Sequence, residues 1–487
     1  MSILNSYTRI VRMYRKHHIN EFVICASAYQ PWLDKIPGST GGGRHYCINR
    51  NNTWWDYSND FWDYQARAAY LMRQGMQQTD LCIYLGDDAP VKILTHRLPE
   101  IPGGYDFDAF TGHALATRMA VRDGRITLPD GHSYRMMVLP RSGRISLPAL
   151  RRIHRFVEQG ATIFGPRPVL YGSRSDVAEG REFDQLVAHL WGPEGTAEGD
   201  RTFGKGRVFS GISLEEALRR AAIRPDVSLE TGNVKDRMVY YVHRRSSDAD
   251  LYFLDNHKDA VEDNTFHFAA DRKFAQVWDL VSGKRYRAAG HCQSGEGYAL
   301  DLTLAPRQSL VVVLADHDEP LPVWGEPAMQ QVLPLDTGWT VAFDEKLGGP
   351  GAVPFNRLTD WTENEDDRIK YYSGTAVYTR DFDMEDVPTE ATLAIETPGS
   401  VAKVWVNGVE VGTVWCAPWE LSITGHLKRG HNHVEIHVAN SLNNRMVYDA
   451  GLDEKDRVTY AYPPIAKETD PLAPSGLTDV KIMYEAR

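Results

Sequence analysis

Two stretches carry residue types that could do chemistry on a sugar. The first runs from Tyr29 to Trp55, with Tyr29, Gln30 and Trp32 ahead of a glycine-rich loop and Asn49, Asn51, Asn52, Trp54 and Trp55 behind it. Aromatic faces cover the apolar C–H side of a pyranose while amides bond its hydroxyls. Tyr29, Gln30, Trp32, Asn52, Trp54 and Trp55 are therefore the candidate substrate-binding residues. The plainer alternative makes them core aromatics and turn asparagines. The second stretch holds Trp415, Trp419, Asn443 and Arg445, secondary sugar-binding candidates in a β-rich region. There the two tryptophans serve equally well as sandwich filler, the more economical reading.

An acid pair is harder to find. Hydrolysis of a glycoside needs two carboxyl groups facing each other across the sugar. Asp34, Asp56, Asp60 and Asp63 lie near the aromatic loop but belong to one βα unit. They read as loop and first-turn acids. Asp87 and Asp88 follow a strand, where a turn or helix-capping role is the simpler one.

These residues need elements to hold them. Phe22–Ala26 is a continuous apolar run, the pattern of a strand buried on both faces, and a loop at its carboxyl end lies where α/β barrels keep their sites. Before it, Ile3, Leu4, Tyr7, Ile10, Val11 and Tyr14 recur at helical spacing. That segment is a basic amphipathic helix without the apolar core and cleavage site of a signal peptide. The strand's parallel neighbours are expected on an upstream piece or a second polypeptide. A helix from Phe61 to about Gln74, capped by Gly75, follows. Strands at 81–85, 135–140, 161–165 and 206–210 then alternate with helices at 148–159, 182–190 and 213–222, the rhythm of an open, mostly parallel sheet. No phosphate-binding glycine motif accompanies it. From Met238 short β runs take over, and Asp316–Pro320 reads as a linker. From about Leu333 a second β region includes Asn407-Gly408 between alternating strands, which specifies a type I′ hairpin.

The fold class is thus multidomain α/β plus all-β. Residues 1–78 carry the barrel-type βα unit, 79–225 an open α/β sheet, 226–332 a small β-sandwich, and 333–487 a jelly roll; with the resemblance given below, the first is expected to be the C-terminal part of a (β/α)8 barrel and the last to be galactose-binding-like. The bulk numbers agree: 487 residues, 42% hydrophobic, 24% charged, with 40 Gly and 26 Pro. A net charge of -11 argues against nucleic acid or an anionic membrane as partner. No run reaches the ~18 apolar residues of a membrane span. Cys25, Cys47, Cys82, Cys292 and Cys416 are scattered and odd in number, which disfavours a disulfide framework and a zinc site. No metal ligands are assigned.

The order of motifs resembles the C-terminal half of glycoside hydrolase family 106, the α-L-rhamnosidases, and relatives with a family 2-type sugar-binding domain. The matching pieces begin with YQPW at Tyr29–Trp32, NRNNTWW at Asn49–Trp55, YLGDDAP at Tyr84–Pro90, PGGYDFD at Pro102–Asp108 and the Asp123–Gly131 region. LYFLDN at Leu251–Asn256, YYSGTAVY at Tyr371–Tyr378, VWVNGVEVGTVW at Val404–Trp415 and NSLNNR at Asn440–Arg445 complete the series. The resemblance implies an inverting hydrolase acting on an oligosaccharide or glycan. In that family the catalytic glutamates and a bound calcium sit on barrel strands upstream of YQPW. Neither glutamate has a counterpart here, so the chain alone is expected to be inactive and to hold no cofactor, calcium belonging to the complete enzyme. An N-terminal barrel polypeptide is the implied partner. The family tends to place a His just before YQPW, where this sequence has Cys25 and Ala26. Relatives are often periplasmic or secreted, and the compartment of this chain stays open. The alternative function is a non-catalytic carbohydrate-binding protein acting through the jelly roll.

Overall fold

A computed structural model describes residues 19–22, 29–41, 49–87, 99–171, 177–196, 199–293, 297–325 and 331–485. The expected helix over 3–14, the strand over 22–26 beyond Phe22, Asp88, Cys25 and Cys47 lie outside the described residues. The architecture is a multidomain α/β arrangement with one mixed, mainly parallel sheet and several antiparallel ones.

The helix spans Asn59–Leu71, ending three residues short of the expected Gln74. Its buried residues, Phe61, Tyr64, Ala68 and Leu71, recur every three or four positions and make a single apolar stripe. The chain leaves it early because Met76–Gln77 must pair with Arg244–Arg245 as an edge strand of a later sheet. Gly75 permits the approach, since a Cβ there would lie 2.2 Å from the Arg245 carbonyl oxygen. The stripe packs against Val242, Leu251, Phe253, Val311 and Val313 on one side and Val401, Trp415 and Ala439 on the other. The helix is therefore a wedge between the two β modules.

The parallel sheet runs Asp200–Phe203, Gly206–Phe209, Thr162–Phe164, Met136–Val138, Leu81–Tyr84, Phe107–Phe110, with only the first strand antiparallel. Successive residues of each strand enter opposite cores. Cys82, Tyr84, Met137 and Ile163 meet helices Leu147–Gln159 and Val177–Trp191, while Leu81, Ile83, Met136 and Val138 meet helix Leu214–Arg220. Ser146 and Ser213 cap two of these helices, each accepting a backbone N–H from three residues on. Strand order reverses between Leu81–Tyr84 and Met136–Val138, the place where such sheets usually open for ligands. There Asp87 accepts the Ser146 N–H at 2.9 Å. A three-stranded sheet of Ala120–Arg122, Arg125–Thr127 and Ser133–Tyr134, not anticipated from sequence, turns at Asp123-Gly124, both in the left-handed region.

Each β module has a four-stranded and a six-stranded sheet sharing an apolar core. In the second, Val406 pairs with Val409 around Asn407 (φ 52°) and Gly408 (φ 80°), the expected I′ geometry. After Asn440, Asn443–Ala450 is a helix with Asn444, Arg445 and Asp449 buried, and a further strand, Asp479–Tyr484, follows later.

Candidate functional site

The loop after Tyr29 is held by its own amides. Gln30 is 8% exposed, donating to the Ser39 carbonyl at 2.7 Å and accepting the Ser39 N–H at 2.8 Å. This side chain closes the loop as a second strand would. Asn51 donates to the Lys35 and Pro37 carbonyls, Asn49 accepts the Asn51 N–H at 2.8 Å, and Arg50 donates to the Gln30 carbonyl at 3.0 Å. Asn49 and Asn52 are both buried. These polar groups build the loop and do not project from it.

The loop's outer edge, Pro37–Ser39, then pairs in parallel with Tyr460–Tyr462, more than four hundred residues later. Tyr460 N–H donates to the Ile36 carbonyl at 2.7 Å, and Thr40 N–H to the Tyr462 carbonyl at 2.8 Å. Trp32 meets Tyr460 edge to face at 5.2 Å, and the Lys35 ammonium sits 3.9 Å from the Tyr460 ring centre. Tyr29 is 82% exposed and Tyr462 62% exposed, with Trp32 and Tyr460 half-buried between loop and strand. Trp32 and Tyr460 thus meet across loop and strand, while Tyr29 and Tyr462 stand exposed on the same two segments. Tyr460 and Tyr462 were not among the sequence candidates. Their only signal, Tyr-Ala-Tyr-Pro-Pro in a polar region, says nothing about a partner at residue 37.

The other candidates lie elsewhere. Trp54 is 2% exposed and Trp415 fully buried, both in the core under helix Asn59–Leu71. Trp415 meets the Phe61 ring edge-on at 5.4 Å. Trp55 is half-buried against the same core. Asn443 donates to the Pro471 carbonyl. Arg445 is buried and pairs with Asp449 at 2.9 Å. The Asp449 carboxylate in turn accepts the Thr459 N–H and hydroxyl, both at 2.6 Å, and the Val458 N–H at 3.0 Å. Arg445 therefore acts through Asp449 to hold the turn that delivers Tyr460. Trp419 is half-buried, apart from this surface, with φ 64°.

The acids near the loop are engaged or solvated. Asp60 accepts the Thr413 N–H at 2.9 Å, Asp63 pairs with Arg67, and Asp34 and Asp56 are exposed. Among the described residues no three His, Cys, Asp or Glu side chains converge as metal ligands. Cys82 and Cys416 are buried. A second titratable cluster, sealed from solvent, joins the first β module to the α/β sheet. His243, 1% exposed, lies between Asp226 (2.9 Å) and Asp250 (2.7 Å) and stacks on Tyr252 at 4.0 Å. Burial lowers its pKa, and the two carboxylates more than reverse this, so the net shift is upward. Nearby Asp80 is pushed up to about 6 by burial, against the pull of Arg135.

Residues 6–290 match the sequence profile of glycoside hydrolase family 106, described as α-L-rhamnosidase. A rhamnosidase structure from Novosphingobium sp. PP1Y aligns with 98% of this chain and 46% of that one, at 29% identity and a TM-score of 0.85. A putative β-glucuronidase of Formosa agariphila is 28% identical over 298 residues, 61% of this chain and 24% of that protein. The chain thus spans less than half the length of either relative.

Proposed function

Because this chain belongs to glycoside hydrolase family 106, the α-L-rhamnosidases, we propose that it serves the hydrolysis of terminal α-L-rhamnosyl residues in glycans. The observation that carries this reading is the alignment of 98% of the chain with a rhamnosidase at 29% identity. In this reading Tyr29, Trp32, Tyr460 and Tyr462 form the sugar-contacting rim, stacking on the C–H faces of the glycan. Gln30, Asn51 and Arg50 keep the loop in register beneath them, and Arg445 and Asp449 fix the tyrosine strand.

The reaction also needs a protonated acid and an ionised base on opposite sides of the ring. Asp60 and Asp63 are committed to other partners, and Asp34 and Asp56 lie in water. In this reading the pair comes from residues other than these four. Residues 1–78 would be the end of a (β/α)8 barrel.

The test is release of nitrophenol from an aryl α-L-rhamnoside. The chain alone is expected to give no turnover, and a separately expressed family 106 barrel polypeptide to restore it on mixing. Robust turnover by the chain alone would overturn the assignment of the acid pair.

A further inference from the structure

The chain passes from the α/β sheet into the first β module at Asp226, and the backbone there is tied to both. Asp226 N–H donates to the Gly104 carbonyl at 2.7 Å, and the Asp226 carbonyl accepts the Ala269 N–H at 2.9 Å. Tyr241 of the module donates its hydroxyl to the same Gly104 carbonyl at 2.8 Å. Gln78, just ahead of the sheet, donates its N–H to the His243 carbonyl at 3.0 Å. A Cβ at Gly104 would lie 2.2 Å from the Val227 carbonyl oxygen, so the two backbones meet directly.

At this junction His243 uses both ring nitrogens. Nδ1 lies 2.9 and 3.0 Å from the two Asp226 oxygens, and Nε2 lies 2.7 Å from Asp250 Oδ1. Ionised carboxylates only accept hydrogen bonds, so both nitrogens must donate, which the imidazolium alone can do. Asp250 also receives Arg245 at 2.6 Å and Arg272 at 2.8 Å. Burial would raise its pKa, but His243, Arg272 and Arg245 together bring it down to about 2. Asp226 receives the Tyr252 hydroxyl at 3.2 Å, and among the described residues His243 is its one ion-pair partner. From the α/β side Asp80 faces the cluster, with Arg135 at 3.2 Å and Arg125 behind it, while Asp106 faces Tyr241. Removing one ring proton sets a nitrogen lone pair against a carboxylate oxygen in a site closed to water, and leaves a buried carboxylate short of positive charge.

We propose that His243 is a proton-operated joint: while it carries both ring protons the α/β sheet and the first β module move as one body, and loss of one proton uncouples them. Its folded pKa is raised, so the coupling is full below the ordinary 6.5 and lost as pH rises through the folded value. Asp80, which burial pushes up to about 6, acts in the same sense, full below the ordinary 3.8 and lost through about 6. Asp250 stays ionised across this range.

Amide hydrogen exchange on the full chain between pH 5 and pH 9, corrected for the intrinsic base dependence of exchange, tests it. Peptides covering Gln78 and Asp226 should lose protection by roughly tenfold per pH unit above the folded pKa of His243. Peptides covering Ile163 in the sheet and Val312 in the module core should keep theirs. His243→Gln, which cannot take up charge, should flatten the profile. Asp226→Asn keeps an acceptor but removes a charge, and should move the midpoint down by about one pH unit or more. The proposal is overturned if the Gln78 and Asp226 peptides are equally protected at pH 6 and pH 9, or if protection falls in step throughout both modules. It is overturned equally if the midpoint is unmoved in Asp226→Asn. The wild-type profile decides the matter by itself should either variant fail to fold.

Discussion

Replacing Asp449 with Ala should loosen the sugar-contacting surface without touching any residue on it. The Asp449 carboxylate takes four hydrogen bonds: one from Arg445 Nε, two from Thr459 and one from Val458 N–H. Its removal leaves the buried Arg445 guanidinium without a counter-charge, a loss of about 3–5 kcal/mol. At roughly 2–4 °C per kcal/mol for a module of this size, the transition containing the second β module should fall by about 10 °C. Asp449→Asn keeps the shape and one acceptor, and should cost about 1.5–3 kcal/mol, the worth of a bond to a charged group. Amide hydrogen exchange at 459–462 should rise in the same order, Ala above Asn above wild type. A melting point within ~1 °C of wild type for Asp449→Ala, with unchanged exchange, would refute the claim that this carboxylate holds the tyrosine strand.

Three further outcomes follow from the same geometry. Trp54→Ala and Trp415→Ala each empty space in the core beneath helix Asn59–Leu71 and should cost about 3–5 kcal/mol in denaturant unfolding. In protein that remains folded, oligosaccharide affinity should not change. His243 has a raised folded pKa, so its contribution is full below the ordinary 6.5 and lost as pH rises through the folded value. Melting of wild type should therefore drop across that rise, and His243→Gln should be less stable at pH 6 with a flatter profile. Gly75→Ala would drive a Cβ into the Arg245 carbonyl from a left-handed position and should cost at least about 1 kcal/mol by thermal melt, unpairing Met76–Gln77 from its sheet.

How far the sequence could be read depended on whether the determining contacts were local. The strand expected over 81–85 was legible because alternate residues of Leu81–Tyr84 serve two cores, and an apolar run announces a strand directly. Asn407-Gly408 read as a I′ turn because two neighbouring residues decide it. The aromatic loop was harder. Residue type does not say which side of a loop a ring takes, and so Trp32 and Trp54 looked alike although one lies at the surface and the other in the core. Gln30 and Asn52 looked like hydroxyl binders, yet both are buried within the loop. Tyr460 and Tyr462 were invisible for a different reason, since a three-residue strand paired across the whole chain leaves no periodic trace. Helix Asn443–Ala450 was hidden because buried Asn444, Arg445 and Asp449 hold it, where an apolar stripe would have shown.

A crystal structure of the chain with a rhamnose-terminated oligosaccharide tests the account most directly. The account predicts sugar rings against Tyr29, Trp32, Tyr460 and Tyr462, with the rhamnosyl linkage reaching past them and meeting no carboxylate pair from the described residues. A linkage clasped between two such carboxylates, or a bare aromatic surface with the glycan bound elsewhere, would contradict it.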